Sequence, residues 1–320
     1  MKTISTKWLG VALATLSLNC AAAYPDKAIT IVVGYSAGGT TDILTRVLAE
    51  ELSREMGQSV VVENKPGANE NIGAAHVEKS RPDGYTLFLG TISQAINPIL
   101  YKNAVDPLKA FEPVSMTASI PLLLILNDKL ESNDFSSFVE YAKANPGKLN
   151  YASSGNGSPG HLGGELFKSM SGVDAMHIPF KGGALGNTAV MSGDVHFSFA
   201  TMPGAAPLVE ANRVKALAVT TKERSAKMPE LPAIDEIPGF KDFEVNTWNA
   251  LFVPKGTPQE VVDRLNAGLA KIMTSDKIKA SYLSHGAVPQ SSSPAELNQF
   301  LLNELDRWKA VVNKANLQID

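Results

Sequence analysis

Residues 29–52 read Ile29-Thr30-Ile31-Val32-Val33-Gly34-Tyr35-Ser36-Ala37-Gly38-Gly39-Thr40-Thr41-Asp42-Ile43-Leu44-Thr45-Arg46-Val47-Leu48-Ala49-Glu50-Glu51-Leu52. The first five residues form a β-branched run that is typical of a buried parallel strand. The last part repeats apolar residues at helical spacing, namely Leu44, Val47, Leu48 and Leu52. The sequence therefore predicts a strand, a loop of small residues and a helix capped by Thr40 or Thr41.

The loop between this strand and this helix is a predicted anion site. A strand that enters a helix through small residues directs free backbone N–H groups and the positive end of the helix dipole at one point. We therefore expect the loop to hold a carboxylate of a small solute. Its candidate binding residues are Tyr35, Ser36, Ala37, Gly38, Gly39, Thr40, Thr41 and Asp42.

Three other interpretations of the loop stay open. Residues 34–38 match the G-x-S-x-G nucleophile elbow of hydrolases, with Ser36 as nucleophile and five histidines elsewhere. That elbow normally follows several strands, whereas only about ten residues would precede it after export. A dinucleotide-binding loop needs a different glycine spacing. The glycines would otherwise do no more than form a tight turn.

Residues 1–23 are predicted to be a signal peptide. Lys2 and Lys7 precede an apolar run at Trp8–Leu18 that is too short to span a bilayer, and Ala21–Ala23 forms a small-residue cleavage site. Cleavage after Ala23 would release an exported protein. It would also remove the only cysteine, Cys20, which excludes disulfides, thiolate catalysis and cysteine-based zinc sites. Residues 17–19 fit a lipobox poorly, and lipidation of Cys20 stays open.

Size and composition favour a soluble two-domain protein. Removal of 23 residues from 320 leaves 297, which is more than one core usually organises. Loss of two lysines takes the net charge from −3 to −3 − 2 = −5, and no long basic run points to nucleic acid. No metal-ligand cluster or paired-carboxylate motif is evident, so we expect no metal, no cofactor and no catalytic residues. We expect a monomer.

Strands and helices alternate along the chain, which predicts an α/β fold with two doubly wound domains and a ligand cleft between them. The last helices follow no long new strand and are expected to pack back onto the first sheet. The chain would then cross between domains near residues 119–126 and 246–252. We place domain 1 at residues 24–121 plus 247–320 and domain 2 at residues 122–246.

Polar residues that follow other predicted strands are further cleft candidates. Residues 149–161 repeat the strand, small polar loop and helix of the first stretch, so the two loops would face each other across the cleft. The additional candidates are Thr91, Ser93, Gln94, Ser153, Ser154, Gly155, Asn156, Gly157, His161, Lys181, Gly182, Gly183, Ala200, Thr201 and Trp248. For Lys181 a solvated side chain, for His161 a structural hydrogen bond and for Trp248 a place in the core remain alternatives.

Several motifs resemble one known family. They are residues 24–27 (YPDK), 37–42 (AGGTTD), 62–68 (VENKPGA), 82–87 (PDGYTL), 146–157 (PGKLNYASSGNG) and 177–183 (HIPFKGG). In this order they resemble the Bug receptors, the TctC-like periplasmic solute-binding proteins of tripartite tricarboxylate transporters. The resemblance implies a two-lobe, type II-like periplasmic-binding-protein fold. It also implies carboxylate ligands held at the loops above and delivery to a large and a small membrane subunit.

The chain departs from that family at three places. Gly34 stands where the family usually has proline, Asn69-Glu70 replaces a Gly-Gly pair, and Ala200 stands where many members have an aspartate that faces an amino group. The missing aspartate argues against an amino-acid ligand. We expect a dicarboxylate, with an aromatic one such as terephthalate among the candidates. A secreted serine hydrolase that uses Ser36, and a ligand sensor for a two-component system, are the alternative functions.

Overall fold

The computed structural model describes residues 24–314, so the predicted signal peptide and its cleavage site lie outside the described residues. Within that range the strands are β1 (Ile29–Val33), β2 (Val60–Asn64), β3 (Thr86–Thr91), β4 (Phe111–Leu126), β5 (Leu149–Ser153), β6 (Ala175–Pro179), β7 (Phe197–Thr201), β8 (Lys215–Val219), β9 (Asn246–Pro254) and β10 (Val288–Pro289). The helices are α1 (Thr40–Met56), α2 (Asn71–Glu78), α3 (Ser93–Leu100), α4 (Pro107–Ala110), α5 (Phe135–Ala144), α6 (Pro159–Ser171), α7 (Gly183–Ser192), α8 (Met202–Glu210), α9 (Gln259–Met273), α10 (Asp276–Ser284) and α11 (Pro294–Lys314).

The strands form two groups that are joined through β4. The hydrogen-bonded order is β2-β1-β3-β9-β4-β7-β5-β6, and β8 and β10 both pair with β4. We call β1, β2, β3, β9, β10 and the first part of β4 the first lobe. The second lobe consists of β5, β6, β7, β8 and the last part of β4. In each lobe β-strands that pair in parallel, such as β1 with β2 and β5 with β6, alternate with helices.

Strand β4 passes from one lobe to the other at Pro121. Pro121 lies opposite Asn246 of β9, and the next residue, Leu122, lies opposite Thr201 of β7. Proline lacks the N–H group that a central strand needs for its ladder, so it suits the point where pairing partners change. Strand β4 thus contributes to both lobes, whereas β9 begins at the same point and pairs within the first lobe.

Buried side chains continue from one lobe into the other. One cluster joins Phe88, Phe111 and Phe252 of the first lobe to Phe138 and Phe197 of the second. Two further clusters cover the opposite face of each sheet and bury the apolar face of α1 as well as parts of α7 and α8. Helices α9, α10 and α11 contact α1, β4 or β10 of the first lobe, as the terminal helix run predicted.

Some predicted element bounds are wrong. Helix α1 has Gly39 as its N-cap, without a capping side chain, rather than Thr40 or Thr41. Ala200 and Thr201, which were expected to follow a predicted strand, form the end of β7 instead. Helices α3 and α8 were not predicted because each contains an internal proline, Pro98 and Pro207.

Residues 24–314 contain neither a membrane-spanning helix nor a cluster of metal ligands. No helix there is long and apolar enough to cross a bilayer. No group of three or more histidine, aspartate and glutamate side chains there comes together as a metal site.

Candidate functional site: a cavity between the two lobes

A cavity of about 400 Å³ lies between the lobes. The first lobe contributes the loop after β1, the end of β3 and residues of the β4 and β9 crossings. The second lobe contributes the start of α7, the end of β7 and parts of the loop after β5. The lining residues are Tyr35, Ser36, Ala37, Gly38, Gly39, Thr40, Thr41, Thr91, Ile120, Ser154, Pro159, Lys181, Gly182, Gly183, Ala184, Leu185, Asn187, Thr201, Gly204 and Thr247.

Three of the helices that begin at this cavity have no capping side chain. The N-cap residues are Gly39 for α1, Gly182 for α7 and Thr201 for α8. Because the N–H groups of a first helical turn have no partner within the helix, those of α1 and α7 remain available to a ligand. Helix dipoles add positive potential at the same ends. The cavity therefore receives backbone donors from both lobes.

The carboxylate of Asp42 orders the loop after β1 from the side that faces away from the cavity. It accepts hydrogen bonds from the Gly38 N–H (2.9 Å) and from Asn64 Nδ2 (2.9 Å), and Arg46 Nε donates to it at 3.0 Å. Burial opposes ionisation, but these donors outweigh it, and the pKa of Asp42 lies below its ordinary value. Asp42 is buried and does not line the cavity, so it orders the loop whose amides do.

In the second lobe the free helix terminus differs from the expected one. Ser158 caps α6 by accepting from the His161 N–H (3.4 Å), and the Gly157 N–H donates to His161 Nδ1 (3.0 Å). The start of α6 therefore has a capping side chain, unlike the starts of α1 and α7. Helix α7, preceded by Gly182 with φ of +122°, presents the free N–H groups of this lobe instead.

Hydroxyl groups line both walls of the cavity. Thr40 Oγ1 and Thr201 Oγ1 share a hydrogen bond of 2.7 Å across the cavity, and Ser36 Oγ donates to the Lys181 carbonyl at 3.3 Å. No hydrogen bond joins the Thr41 or Ser154 hydroxyl to another described residue, although both line the cavity. These two hydroxyls, one from each lobe, are thus available to a ligand.

The charge of the cavity wall suits an anion. Lys181 is the only charged residue among those that line the cavity, and its side chain is exposed at the mouth. No carboxylate and no arginine is among the lining residues in the described part of the chain. A bound anion would therefore be held chiefly by N–H and O–H donors.

Many of the residues that the sequence singled out come together at this cavity. Every predicted residue of the first loop lines it except Asp42, and so do Thr91, Ser154, Lys181, Gly182, Gly183 and Thr201. The predicted residues outside the lining are Asp42, Ser93, Gln94, Ser153, Gly155, Asn156, Gly157, His161, Ala200 and Trp248.

Strand alternation accounts for two of the residues that lie outside. Thr247 lines the cavity, so its neighbour Trp248 faces the opposite side of β9, where Nε1 donates to Glu304 Oε2 at 3.0 Å. Thr201 lines the cavity likewise, and Ala200 is buried in the apolar cluster behind β7. Neighbouring residues of a strand thus face opposite sides, one in the wall of the cavity and the next in the protein core.

A buried polar layer lies directly behind the first-lobe wall. The Tyr35 hydroxyl donates to Asn69 Oδ1 (3.0 Å) and shares a hydrogen bond with Ser93 Oγ (2.8 Å). Gln94 Nε2 donates to Glu70 Oε1 at 3.1 Å, and the Thr91 hydroxyl donates to the same oxygen at 3.0 Å. Ser93 and Gln94 therefore support Thr91 and Tyr35 and do not face the cavity themselves.

A histidine pair supports the second-lobe loop. The rings of His161 and His177 stack with centroids 4.0 Å apart, and His177 Nε2 bonds to Ser153 Oγ at 2.6 Å. Burial, followed by the charges of His161 and Lys168, lowers the pKa of His177 to about 3, and burial also lowers that of His161. Both rings are therefore neutral near pH 7 and serve the loop as hydrogen-bonding groups.

Gly155, Asn156 and Gly157 form a contact between the lobes beside the cavity. The Tyr101 hydroxyl of the first lobe donates to the Asn156 carbonyl at 3.1 Å. A side chain on Gly157 would meet Leu100 Cδ1 at 2.8 Å, and φ at that glycine is +73°. This loop touches the opposite lobe through its backbone.

The geometry around Ser36 differs from a nucleophile elbow. Within residues 24–314 no histidine side chain bonds to Ser36 Oγ, whose partner is the Lys181 carbonyl. Ser36 is also absent from the described non-glycine residues with positive φ, whereas the elbow is a strained turn.

Sequence reasoning missed seven lining residues, namely Ile120, Pro159, Ala184, Leu185, Asn187, Gly204 and Thr247. Ala184, Leu185 and Asn187 follow directly from the α7 N-terminus and were detectable by extending the Gly182-Gly183 motif through one helical turn. Gly204 lies in the first turn of α8, a helix that the sequence did not predict. Ile120 and Thr247 lie opposite each other at the crossing, and only the register of β4 with β9 reveals them.

A family model described as "Tripartite tricarboxylate transporter family receptor" (TctC) matches residues 44–317. The chain belongs to this family. Its fold is the two-lobe periplasmic-binding-protein fold of the TctC and Bug receptors. The structure of Rpa4515 from R. palustris with adipate is 36% identical, has a TM-score of 0.90 and covers 92% of this chain and 99% of its own.

Two further solved structures resemble this chain along almost its whole length. The periplasmic binding protein BugD is 32% identical with a TM-score of 0.88, over 92% of this chain and 99% of BugD. MatC (Rpa3494) from Rhodopseudomonas palustris, solved with bound malate, is 29% identical with a TM-score of 0.83, over 90% of this chain and 100% of MatC. Two of these three similar proteins thus have a small dicarboxylate in their structures.

Proposed function

We propose that this TctC-family receptor is a periplasmic solute-binding protein that holds a small dicarboxylate in the cavity between its lobes. The observation that carries the proposal is the convergence of uncapped helix N-termini from both lobes, α1 on one side and α7 on the other, on a cavity without a lining carboxylate. One carboxylate would bind the first turn of α1 with Thr41. The other would bind the first turn of α7 with Ser154.

The donors present are sufficient for a useful affinity. Hydrogen bonds to a charged group contribute about 1.5–3 kcal/mol each, and a helix terminus adds about 0.3–1 kcal/mol. Four or five such bonds, less the cost of association, reach about −8 kcal/mol, which corresponds to a micromolar dissociation constant. An arginine is not required for binding of that strength.

The dicarboxylates present in the similar structures support this ligand class. Adipate in Rpa4515 and malate in MatC differ in length and in hydroxylation. The aliphatic candidates therefore include dicarboxylates of different lengths, with or without a hydroxyl group. Terephthalate belongs to the same proposal as an aromatic candidate, supported by Tyr35, Ile120 and Leu185 in the lining. Trp248, which would have provided a second aromatic wall, faces the other side of its strand.

The remaining parts of the proposal concern location, partners and domains. We propose export by the leader at residues 1–23, delivery of the ligand to a large and a small membrane subunit, and action as a monomer without a cofactor, metal or nucleic acid. The first lobe would correspond to residues 24–121 plus 247–320 and the second to residues 122–246. The two lobes would rotate relative to each other as the ligand binds.

We further propose that the protein is not an enzyme. The partner of Ser36 Oγ is a carbonyl, and its backbone lacks the strain of an elbow, which disfavours the hydrolase hypothesis. A role as the ligand sensor of a two-component system would use the same cavity. A pull-down of the membrane partner separates a sensor from a transport receptor.

A thermal-shift screen with matched variants tests ligand class and site together. Ligand at a hundred times its dissociation constant raises the free energy of unfolding by about 2.7 kcal/mol. We expect adipate, malate or terephthalate to raise the melting temperature. Thr41→Val and Ser154→Ala should each weaken binding about tenfold or more, because each removes a hydrogen bond to a charged group.

Ser136→Ala is the matched control, because Ser136 is an exposed residue of α5 that does not line the cavity. It should leave the shift unchanged. The proposal fails if no carboxylate in the screen shifts the melting temperature, and the site assignment fails if Thr41→Val and Ser154→Ala behave as Ser136→Ala does.

A further inference from the structure

Glu70 is a fully buried carboxyl group immediately behind the cavity wall. It precedes α2 with a backbone φ of +65°, and its side chain has 0% exposure. The backbone of Gly34 passes so close that a Cβ added there would lie 2.2 Å from Glu70 Cβ. The chain thus makes room for this side chain with a glycine.

The two oxygens of this carboxyl group differ in their hydrogen bonding. Oε1 accepts from the Thr91 N–H (3.2 Å), the Thr91 hydroxyl (3.0 Å) and Gln94 Nε2 (3.1 Å). Oε2 is buried and has no hydrogen-bond partner among the described residues. The ionised group therefore leaves one charged oxygen without a donor, and the neutral group has an O–H without an acceptor. Neither protonation state is fully satisfied.

Few titratable groups face this carboxyl group. The loop after β1 contributes the phenol of Tyr35, and Tyr101 lies next beyond it at the end of α3. The end of β3 contributes Thr91 and the start of α3 contributes Gln94, neither of which titrates. No ion pair within residues 24–314 includes Glu70. Its charge is balanced only by hydrogen-bond donors.

Only residues of the cavity wall separate Glu70 from the cavity. Thr91 lines the cavity and donates to Glu70 Oε1 through both its amide and its hydroxyl. Tyr35 also lines the cavity, and the pKa of its phenol is raised by burial and by the negative charge of Glu70. A ligand carboxylate at this wall would place a second negative charge near a buried first one.

We propose that Glu70 couples ligand binding to proton uptake, so that the protein takes up a proton on Glu70 as a carboxylate enters the cavity and binds dicarboxylates more tightly at lower pH. This inference rests on the proposed carboxylate-binding function. Glu70 acts as a positioning and electrostatic group through Thr91 and Tyr35, without touching the ligand.

The sign of the coupling follows from electrostatics. Burial raises the pKa of Glu70 to about 7, against the hydrogen bonds from Gln94 and Thr91. A nearby ligand carboxylate disfavours the ionised form and raises that pKa further. Between the free and bound pKa values the complex holds more protons than the free protein. The affinity for the ligand is then highest below pH 7. It falls as the pH rises, by at most about tenfold per pH unit for one proton.

Calorimetric titration with adipate and with malate between pH 6 and pH 8.5 tests the inference. Both ligands are largely ionised in this range, because an isolated carboxyl group has a pKa of about 4 and the charge of the first carboxylate raises that of the second only moderately. For the wild type we expect a several-fold loss of affinity from pH 6 to pH 8. Repeats in two buffers of different ionisation heat should show uptake of part of one proton near pH 7.

Glu70→Gln supplies a neutral side chain of the same shape, so its affinity should be independent of pH over this range, with no proton uptake. Glu63→Gln removes an exposed carboxylate of β2 and should retain the wild-type pH profile. If Glu70→Gln does not fold, as judged by its melting curve, Glu70→Gly removes the charge at a position whose φ favours glycine.

The outcomes separate this inference from the proposed function. A pH profile and proton uptake that persist in Glu70→Gln would assign the proton to another group and overturn the inference while dicarboxylate binding stands. A wild type whose affinity does not change with pH would overturn it as well. Failure of both ligands to bind at every pH would overturn the proposed function and this inference with it.

Discussion

Gly34 and Glu70 share one small volume, although 36 positions separate them in the chain. A Cβ added at Gly34 would lie 2.2 Å from Glu70 Cβ, so glycine is the residue that fits beside Glu70. The sequence shows both residues but not that they are in contact. A contact between distant residues depends on the packing of α2 against the loop after β1, and local sequence pattern carries no signal for it.

At Asp42 the structure predicts a pH-dependent loss of stability. Asp42→Asn keeps the shape but replaces the carboxylate that accepts from Gly38, Asn64 and Arg46. Because the folded pKa is lowered, the carboxylate stabilises the protein above its unfolded pKa of about 4, and this contribution is lost as pH falls through the folded pKa.

Urea unfolding at pH 7 and at pH 3 measures this effect. We expect Asp42→Asn to lower the free energy of unfolding by about 1–3 kcal/mol at pH 7 and by clearly less at pH 3. Asp128→Asn, which changes an exposed side chain, should have little effect at either pH. An equal loss at both pH values would show that the charge of Asp42 contributes nothing.

Among the elements, the long periodic ones were predictable and the irregular ones were not. Strand β1 and helix α1 follow from a β-branched run and a helical repeat, and their loop could be recognised from its small residues. Helix α8 was missed because Pro207 lies inside it. The choice of α7 over α6 as the free helix terminus rests on one side chain, since Ser158 caps α6.

The loop after β5 provides a test of how the lobes hold together. Tyr101→Phe removes the hydrogen bond from the Tyr101 hydroxyl to the Asn156 carbonyl, which joins the lobes without lining the cavity. One such bond contributes about 0.5–1.5 kcal/mol to the closed arrangement. Ligand affinity should therefore fall about two- to tenfold, with little change in melting temperature.

Tyr141→Phe, on the surface of α5, is the control for this prediction. Solution scattering should show a larger radius of gyration for ligand-free Tyr101→Phe than for the control. If the two variants match in both affinity and radius, the contact at Asn156 does not contribute to closure.

For the whole molecule, connectivity determines where a ligand can sit. Strands β4 and β9 link the lobes at Pro121 and Asn246, and the cavity lies beside this crossing at Ile120 and Thr247. The two-lobe arrangement was predictable from the order of the elements. The identity of the lining residues at the crossing was not, because it depends on a strand register that only the folded sheet defines.

The central claim is that a dicarboxylate lies between the lobes with one end on each. The most direct measurement is a crystal structure of the protein with adipate. We expect one carboxylate within about 3 Å of the amides of Thr40 and Thr41 and the other at Ser154 and the first turn of α7. Adipate bound outside the cavity, or with both carboxylates on the same lobe, would contradict it.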